Sequence, residues 1–188
     1  MKKDRFVQEP SRTTRSLDWP APPKSEPNPD LEHVTLLFGD IVGSTALLAE
    51  MGDLKWMEVL SAYYAIVRRQ CGFFGGRYLT TAGDGFLAAF DDATNALDCA
   101  SAILQGVKVL GLKIRIGVHA GDCFGVGEQL VGLTVHIGAR IAATAAANEV
   151  LVSDSVKNQI ADSELRFFDR GTHNLKGVPG VWRLFEAR

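Results

Sequence analysis

Cysteine and long apolar runs are both scarce in this chain. Three cysteines occur among 188 residues, and no pair has the spacing of a metal site or a redox motif, so we expect reduced thiols in a reducing compartment. No apolar run reaches the roughly 18 residues that a membrane span needs, and none follows the basic N-terminal residues as in a secretory signal. The formal net charge of −2 gives no reason to expect nucleic acid as a partner. We therefore expect a cytoplasmic protein without membrane or nucleic-acid partners.

Proline is scarce everywhere except near the N-terminus. Six of the seven prolines lie within residues 1–31, and that segment shows almost no apolar periodicity. Such a composition is typical of an extended or disordered tail. Over the whole chain hydrophobic residues make up 46% and charged residues 22%, as in ordinary globular proteins. We predict a proline-rich flexible tail over residues 1–31 and one folded domain over residues 32–188.

Strand and helix patterns alternate through the predicted domain. Strands are predicted over residues 33–38, 78–81, 86–90, 113–120, 149–152, 165–169 and 181–186. Helices are predicted from Ser44 or Thr45 to the glycines at 72–76, from the acidic pair at 91–92 to residue 107, over residues 131–147, and after Ser153. Residues 121–127 are predicted to be a glycine-rich connection. The order β-α-β-β-α-β, followed by further helices and strands, predicts an α+β fold: an α/β sandwich with a ferredoxin-like or polymerase-palm core.

Two aspartates, Asp40 and Asp84, lie where predicted strands end or turn. Asp40 follows the first strand, and Asp84 lies at the tip of the predicted hairpin. If the strands are neighbours, both acids project from one sheet edge and can hold two Mg²⁺ or Mn²⁺ ions. Gly43, Ser44 and Thr45 open the next helix, whose free N–H groups and dipole favour phosphate. Each residue also has a purely structural explanation as a turn or a helix cap, and no Walker-type phosphate motif is present.

Five segments, in order, resemble the motifs of class III adenylate/guanylate cyclase catalytic domains of the bacterial, homodimeric type. They are FGDIVGST at 38–45, TAGDGF at 81–86, RIGVHAG at 115–121, VHIGAR at 135–140 and LKGV at 175–178. The resemblance covers residues 33 to about 186. It implies that residues 32–188 form a catalytic domain that converts ATP to 3′,5′-cyclic AMP and pyrophosphate by attack of the ribose 3′-oxygen on the α-phosphate.

The resemblance implies a role for each motif residue. Asp40, Asp84 and the carbonyl of Ile41 would hold two Mg²⁺ or Mn²⁺ ions per active site. The triphosphate would meet Gly43, Ser44, Thr45, Arg115 and Lys176. Arg140 would stabilise charge at the α-phosphate, and His136 would bond to ribose. Arg115 and Lys176 also fit as solvated strand-end charges, and His136 as a packed interface histidine. The family pairs two chains head to tail, so a homodimer would have two complete sites at its interface.

Two positions depart from the family pattern for reading the base. Adenylate cyclases usually carry a lysine and an aspartate where this chain has Thr80 and Gln129. A hydroxyl can donate or accept, and an amide does both, so this pair can satisfy adenine or guanine. Both side chains are neutral and give no charge-assisted bond. Beside an adenylate cyclase, two alternatives stay open: a guanylate cyclase acting on GTP, and a catalytically weak nucleotide-binding or dimerisation module.

Overall fold

The structure, a computed structural model, describes residues 30–80, 83–126, 129–160 and 165–188. Residues 1–29, most of the predicted tail, lie outside the described residues. The strands are β1 (Leu31–Ile41), β2 (Arg77–Thr80), β3 (Phe86–Phe90), β4 (Ile114–Val126), β5 (Gln129–Val131), β6 (Val150–Ser153), β7 (Phe167–His173) and β8 (Trp182–Ala187). The helices are α1 (Ser44–Met51), α2 (Asp53–Phe73), α3 (Ala93–Val107), α4 (Leu133–Thr144) and α5 (Asp154–Gln159), with a 3-10 turn at Lys108–Leu110.

In the described part of the chain the strands form one mixed sheet. Its order is β2-β3-β1-β4-β6-β8-β7, with β5 added to β4. The first four strands and the helices between them form the predicted β-α-β-β-α-β core. Strand β6 runs parallel to β4, and α4 makes the crossover between them. The predicted α+β fold is confirmed.

Helices cover both faces of this sheet. Leu37 and Ile41 of β1 join the core formed with α2 and α3, whereas Val34 and Leu36 face the other side. Because side chains alternate along a strand, Asp40 lies on the opposite face from Ile41. That is the face on which α4 packs, so the strand pleat places the first predicted metal ligand on the α4 side.

Glycines divide two elements differently from the prediction. The long first helix is interrupted at Gly52, whose φ of 77° is left-handed, so it becomes α1 and α2. Likewise Gly132, at φ 134°, separates β5 from α4, so the helix predicted over 131–147 covers Leu133–Thr144. Positive φ is strained for residues with a Cβ, which explains why both breaks fall at glycine. Asp92, in contrast, caps α3 as predicted by accepting from the amide of Asn95.

The predicted glycine-rich connection is largely strand. Strand β4 continues to Val126 because β1 begins earlier than predicted, at Leu31, and pairs with Phe124. Phe124 also pairs with Val131 of β5 on its other side. The cross-strand partners Leu31, Phe124 and Val131 are 61%, 44% and 41% exposed. An apolar, uncovered patch therefore lies at the β4–β5 end of the sheet.

Among the described helices, none has both the length and the apolar character needed to cross a bilayer.

Helix α4 packs directly on β4 at Gly117. A Cβ at Gly117 would lie 2.2 Å from the backbone nitrogen of Ala142. We expect Gly117→Ala to lower the free energy of unfolding by about 2–3 kcal/mol, because only a shift of α4 relieves this overlap. Urea unfolding followed by circular dichroism measures the loss. Gly72→Ala in α2 is the matched control, since a Cβ there meets nothing within 4 Å; equal losses in both variants would contradict the prediction.

Candidate active site

The two predicted metal ligands meet at one end of the central strands. Gly39 pairs with Phe86, so the end of β1 lies beside the turn that precedes β3. The backbone N–H of Ile41 donates to Oδ2 of Asp84 at 3.3 Å. Both aspartates are partly buried. The sheet thus brings together Asp40, Ile41 and Asp84, as the sequence predicted from strand adjacency.

Arg115 faces the same carboxylates. It is the cross-strand partner of Asp40 in the β1–β4 register, and its guanidinium makes a fork to that carboxylate: Nε to Oδ1 at 2.6 Å and Nη2 to Oδ2 at 2.8 Å. The remaining Nη1 donates to the carbonyl of Ala143 near the end of α4 at 3.1 Å. Hydrogen bonding to Asp40, aided by the charges of Asp40 and Asp84, raises the pKa of Arg115. Arg115 therefore stays charged and partly neutralises the acidic site.

Two tyrosines of α2 lie under the acidic turn. The sequence places Tyr63 and Tyr64 on an apolar helical stripe, which predicts core packing. Tyr64 does more, because its hydroxyl lies within hydrogen-bonding distance of the carbonyls of both Gly83 and Gly85, on either side of Asp84, and can share its one proton between them. The hydroxyl of Tyr63 is buried and has no hydrogen-bond partner in the described structure. Burial raises the pKa of Tyr63, and the charges of Tyr64, Asp84 and Asp40 raise it further.

The donor atoms at this site suit a hard divalent cation. Two carboxylates with an adjacent backbone carbonyl present only oxygen, which Mg²⁺ and Mn²⁺ prefer. Within the described ranges, no group of three or more His, Cys, Asp or Glu side chains gathers into a metal cluster. Magnesium is commonly held by one or two carboxylates together with substrate phosphates. The pair Asp40 and Asp84 therefore fits cations shared with a triphosphate better than a closed protein cage.

A second group of predicted residues lies along α4. His136 and Arg140 are one helical turn apart on its exposed side. Neither side chain makes a hydrogen bond or ion pair within the described residues. Leu175 and Val178 belong to one buried cluster with Ile137 and Ile141, and this places the exposed Lys176 turn beside α4. The side chains of His136, Arg140 and Lys176 thus face away from the domain's own core.

The two predicted base-reading positions are not strand neighbours. Thr80 pairs with Phe86 and aligns through it with Gly39, at the C-terminal end of β1. Gln129 is exposed and pairs with Val126, beyond the N-terminal end of β1. Strand register alone therefore does not bring Thr80 and Gln129 together.

His119, in the RIGVHAG segment, has a structural environment. It is 5% exposed, packs edge-on against Trp182, and its Nδ1 lies 2.8 Å from the Ser153 hydroxyl. Burial lowers the pKa of His119 to about 4, with a further contribution from His33. The imidazole is therefore neutral near pH 7 and links β4 to β6 rather than facing the acids.

A comparison with protein families agrees with this arrangement. The model described as "Adenylate and Guanylate cyclase catalytic domain" matches residues 26–185. Asp40 and Asp84, which the motif resemblance assigned to the metals of such a domain, lie near the end of β1 in this fold. The chain belongs to the adenylate and guanylate cyclase catalytic domain family, as its motifs predicted. The match begins inside the segment predicted as tail.

Individual relatives include enzymes named for both nucleotides. The chain is 27% identical over 152 residues to putative adenylate cyclase 3 of Rhizobium meliloti, covering 76% of this chain and 26% of the relative. It is 26% identical over 181 residues to guanylate cyclase soluble subunit alpha-1 of Bos taurus, covering 82% and 26%. The chain thus spans about a quarter of these relatives. The crystal structure of the adenylyl cyclase CyaB from P. aeruginosa superposes with a TM-score of 0.79 at 22% identity, covering 86% and 96%.

Proposed function

We propose that residues 32–188 catalyse cyclisation of a nucleoside triphosphate, with ATP as substrate and cyclic AMP and pyrophosphate as products. The observation that carries this proposal is the meeting of Asp40 and Asp84 at the end of β1, within the family fold. A chain without either acid would lack the oxygen ligands that phosphate-bound cations need. ATP is favoured by the adenylate cyclases among the relatives, and GTP is the alternative favoured by the guanylate cyclases.

In this proposal, different residues around the two acids bind the cations and the substrate. Asp40, Asp84 and the Ile41 carbonyl would bind two Mg²⁺ or Mn²⁺ ions. When bound, the two cations would lower the pKa of the ribose 3′-hydroxyl and neutralise charge on the phosphates. Gly43 has a left-handed φ of 72° and starts α1, so Ser44 and Thr45 present the first helical N–H groups to the triphosphate.

Arg115 has two anionic partners in this proposal. Its planar guanidinium binds a carboxylate in a fork and can bind phosphate oxygens in the same way. In the structure the fork is taken by Asp40. We propose that Arg115 turns to the triphosphate as substrate enters, and this exchange releases the Asp40 carboxylate for a cation.

The remaining catalytic groups would come from a second copy of the chain. His136 and Arg140 project from the domain, with no bond to Asp40 or Asp84 of their own chain in the described residues. Near the start of α4, the exposed cross-strand partners Leu31, Phe124 and Val131 form the apolar patch that a partner would cover. A twofold pair of such chains has two equivalent sites. In each, Arg140 would stabilise the transition state, His136 would bond to ribose, and Lys176 would bind phosphate.

Thr80 and Gln129 are proposed to read the base. Both carry neutral hydrogen-bonding groups that can switch between donor and acceptor roles, so they accept either purine. Weak discrimination between ATP and GTP is the expected consequence. A charged lysine and aspartate would fix one hydrogen-bonding pattern more strongly.

Turnover of the two purine nucleotides tests this proposal. Purified protein is incubated with Mn²⁺ and either ATP or GTP, and cyclic products are measured by chromatography. We expect cyclic AMP from ATP, and a smaller yield of cyclic GMP from GTP. Cyclic GMP alone would keep the mechanism but change the substrate. If a folded, dimeric sample makes neither product, the domain is instead a nucleotide-binding or dimerisation module.

A further inference from the structure

One phenol contacts the described part of the turn that carries Asp84. The Tyr64 hydroxyl lies within hydrogen-bonding distance of the Gly83 carbonyl and is 3.1 Å from the Gly85 carbonyl. These carbonyls belong to the residues immediately before and after Asp84. A single hydroxyl on α2 therefore contacts the backbone on both sides of the acid.

Among the described residues, the Asp84 carboxylate has one hydrogen-bond donor. Its Oδ2 accepts from the Ile41 N–H at 3.3 Å, a long hydrogen bond. Gly83 is exposed and has a φ of 75°, in a glycine-flanked turn with high intrinsic freedom. The direction of the Asp84 side chain therefore depends on how firmly the turn backbone is held.

Tyr64 is itself well placed to hold the turn. The Arg68 guanidinium lies 5.6 Å from the ring centre of Tyr64 and 5.2 Å from that of Tyr78. The Tyr64 ring also lies 5.2 Å from the ring of the fully buried Tyr63. Contacts with Arg68 and Tyr63 limit rotation of the phenol, so its hydroxyl is held toward the turn.

We propose that Tyr64 is a positioning residue for cation binding, which holds the carbonyls of Gly83 and Gly85 so that the Asp84 carboxylate stays at the Ile41 amide, next in the chain to Asp40. This inference rests on the proposed role of Asp84 as a cation ligand. Tyr64 touches neither substrate nor cation in this role. It reduces the conformational freedom that the Asp84 turn would otherwise lose when the cation binds.

Binding of Mn²⁺ together with a substrate analogue that cannot cyclise tests the inference apart from turnover. Mn²⁺ binding to the full chain in the presence of 3′-deoxy-ATP, which lacks the attacking hydroxyl, is measured by electron paramagnetic resonance for wild type, Tyr64→Phe, Tyr78→Phe and Asp84→Asn. We expect Tyr64→Phe to raise the Kd for Mn²⁺ up to about tenfold, which corresponds to about 1.4 kcal/mol and is at the upper end of the range for one lost hydrogen bond. Tyr78→Phe is the matched control: it removes the hydroxyl of the other tyrosine ring beside Arg68, keeps the Tyr64 hydroxyl at the turn, and should bind Mn²⁺ as wild type does.

The outcomes separate this inference from the proposed function. Wild-type Mn²⁺ binding by Asp84→Asn would overturn the role of Asp84 and, with it, that of Tyr64. Loss of binding in Asp84→Asn together with wild-type affinity in Tyr64→Phe would overturn the Tyr64 inference alone. Equal weakening of Mn²⁺ binding in Tyr64→Phe and Tyr78→Phe would also overturn it. The cause would then be a change around Arg68, which lies beside both rings, and not the loss of the hydrogen bond to the turn.

Hydrogen–deuterium exchange gives a second measurement that does not depend on the metal. In Tyr64→Phe the peptide after residue 82 should exchange faster at the turn, while the strand β3 that follows keeps its protection. Unchanged exchange at the turn would contradict the inference. Loss of protection throughout β3 would mean that Tyr64 maintains the fold rather than the turn, and this would overturn the positioning role as well.

Discussion

Asp84→Ala is expected to lower the rate of cyclic nucleotide formation by about 1,000-fold or more, because a cation that stabilises transition-state charge contributes several kcal/mol. The side chain is partly buried and makes one long hydrogen bond to the backbone, so its loss removes a ligand without removing much packing. Assays with saturating Mn²⁺ and ATP measure the effect.

Folding should survive this substitution. Asp84 lies close to Asp40, and removal of one of two neighbouring like charges relieves repulsion. The melting temperature of Asp84→Ala is therefore expected to equal or exceed that of wild type. Asp91→Ala is the matched control, because Asp91 is an exposed aspartate at the opposite end of β3. Turnover within a few-fold of wild type in Asp84→Ala would exclude the two-cation mechanism at this site.

Mixing two inactive variants is expected to restore activity. Arg140→Ala alone should lower turnover about 100-fold, as loss of a preorganised transition-state donor does. If Asp84 and Arg140 of one site come from different chains, a mixed dimer of Asp84→Ala and Arg140→Ala contains one site with both residues intact. An equal mixture that exchanges freely should then recover about one quarter of wild-type turnover, because half the dimers are mixed and each has one working site of two.

The geometry behind this second prediction is the exposed side of α4. Arg140 makes no bond to its own chain in the described residues, and the apolar patch around Phe124 lies near the start of the same helix. A mixture that stays inactive, although mixed dimers are shown by mass spectrometry of crosslinked samples, would place both residues in one chain. Mixing Asp84→Ala with Asp40→Ala is the control, since both acids belong to one half-site and no intact site can form.

Local chemistry explains what could be predicted from the sequence. The Asp-Gly turn, the cap at Asp92 and the helical pattern of α4 depend on residues within a few positions of each other, and the structure agrees with all three. Asp40 and Asp84 could be paired in advance only on the condition that β1 and the hairpin are neighbours, since 43 positions separate Ile41 from Asp84; the motif resemblance supported that pairing. The family followed from five motifs in order, and the family match confirmed it.

Long-range register explains what could not be predicted. Whether Arg115 meets Asp40 depends on the alignment of β1 with β4, and a slip of one residue would turn the guanidinium to the other face. The same pairing extends β4 to Val126 through a segment whose glycines favour a loop. The helical stripe that includes Tyr64 predicted burial, but only tertiary packing decided that its hydroxyl reaches the turn of Asp84. Sequence by itself thus determined which groups are available and which family the chain belongs to. The tertiary structure decided which of these groups touch, because contacts between distant residues are set by the pairing of the whole sheet and by the helices packed on it.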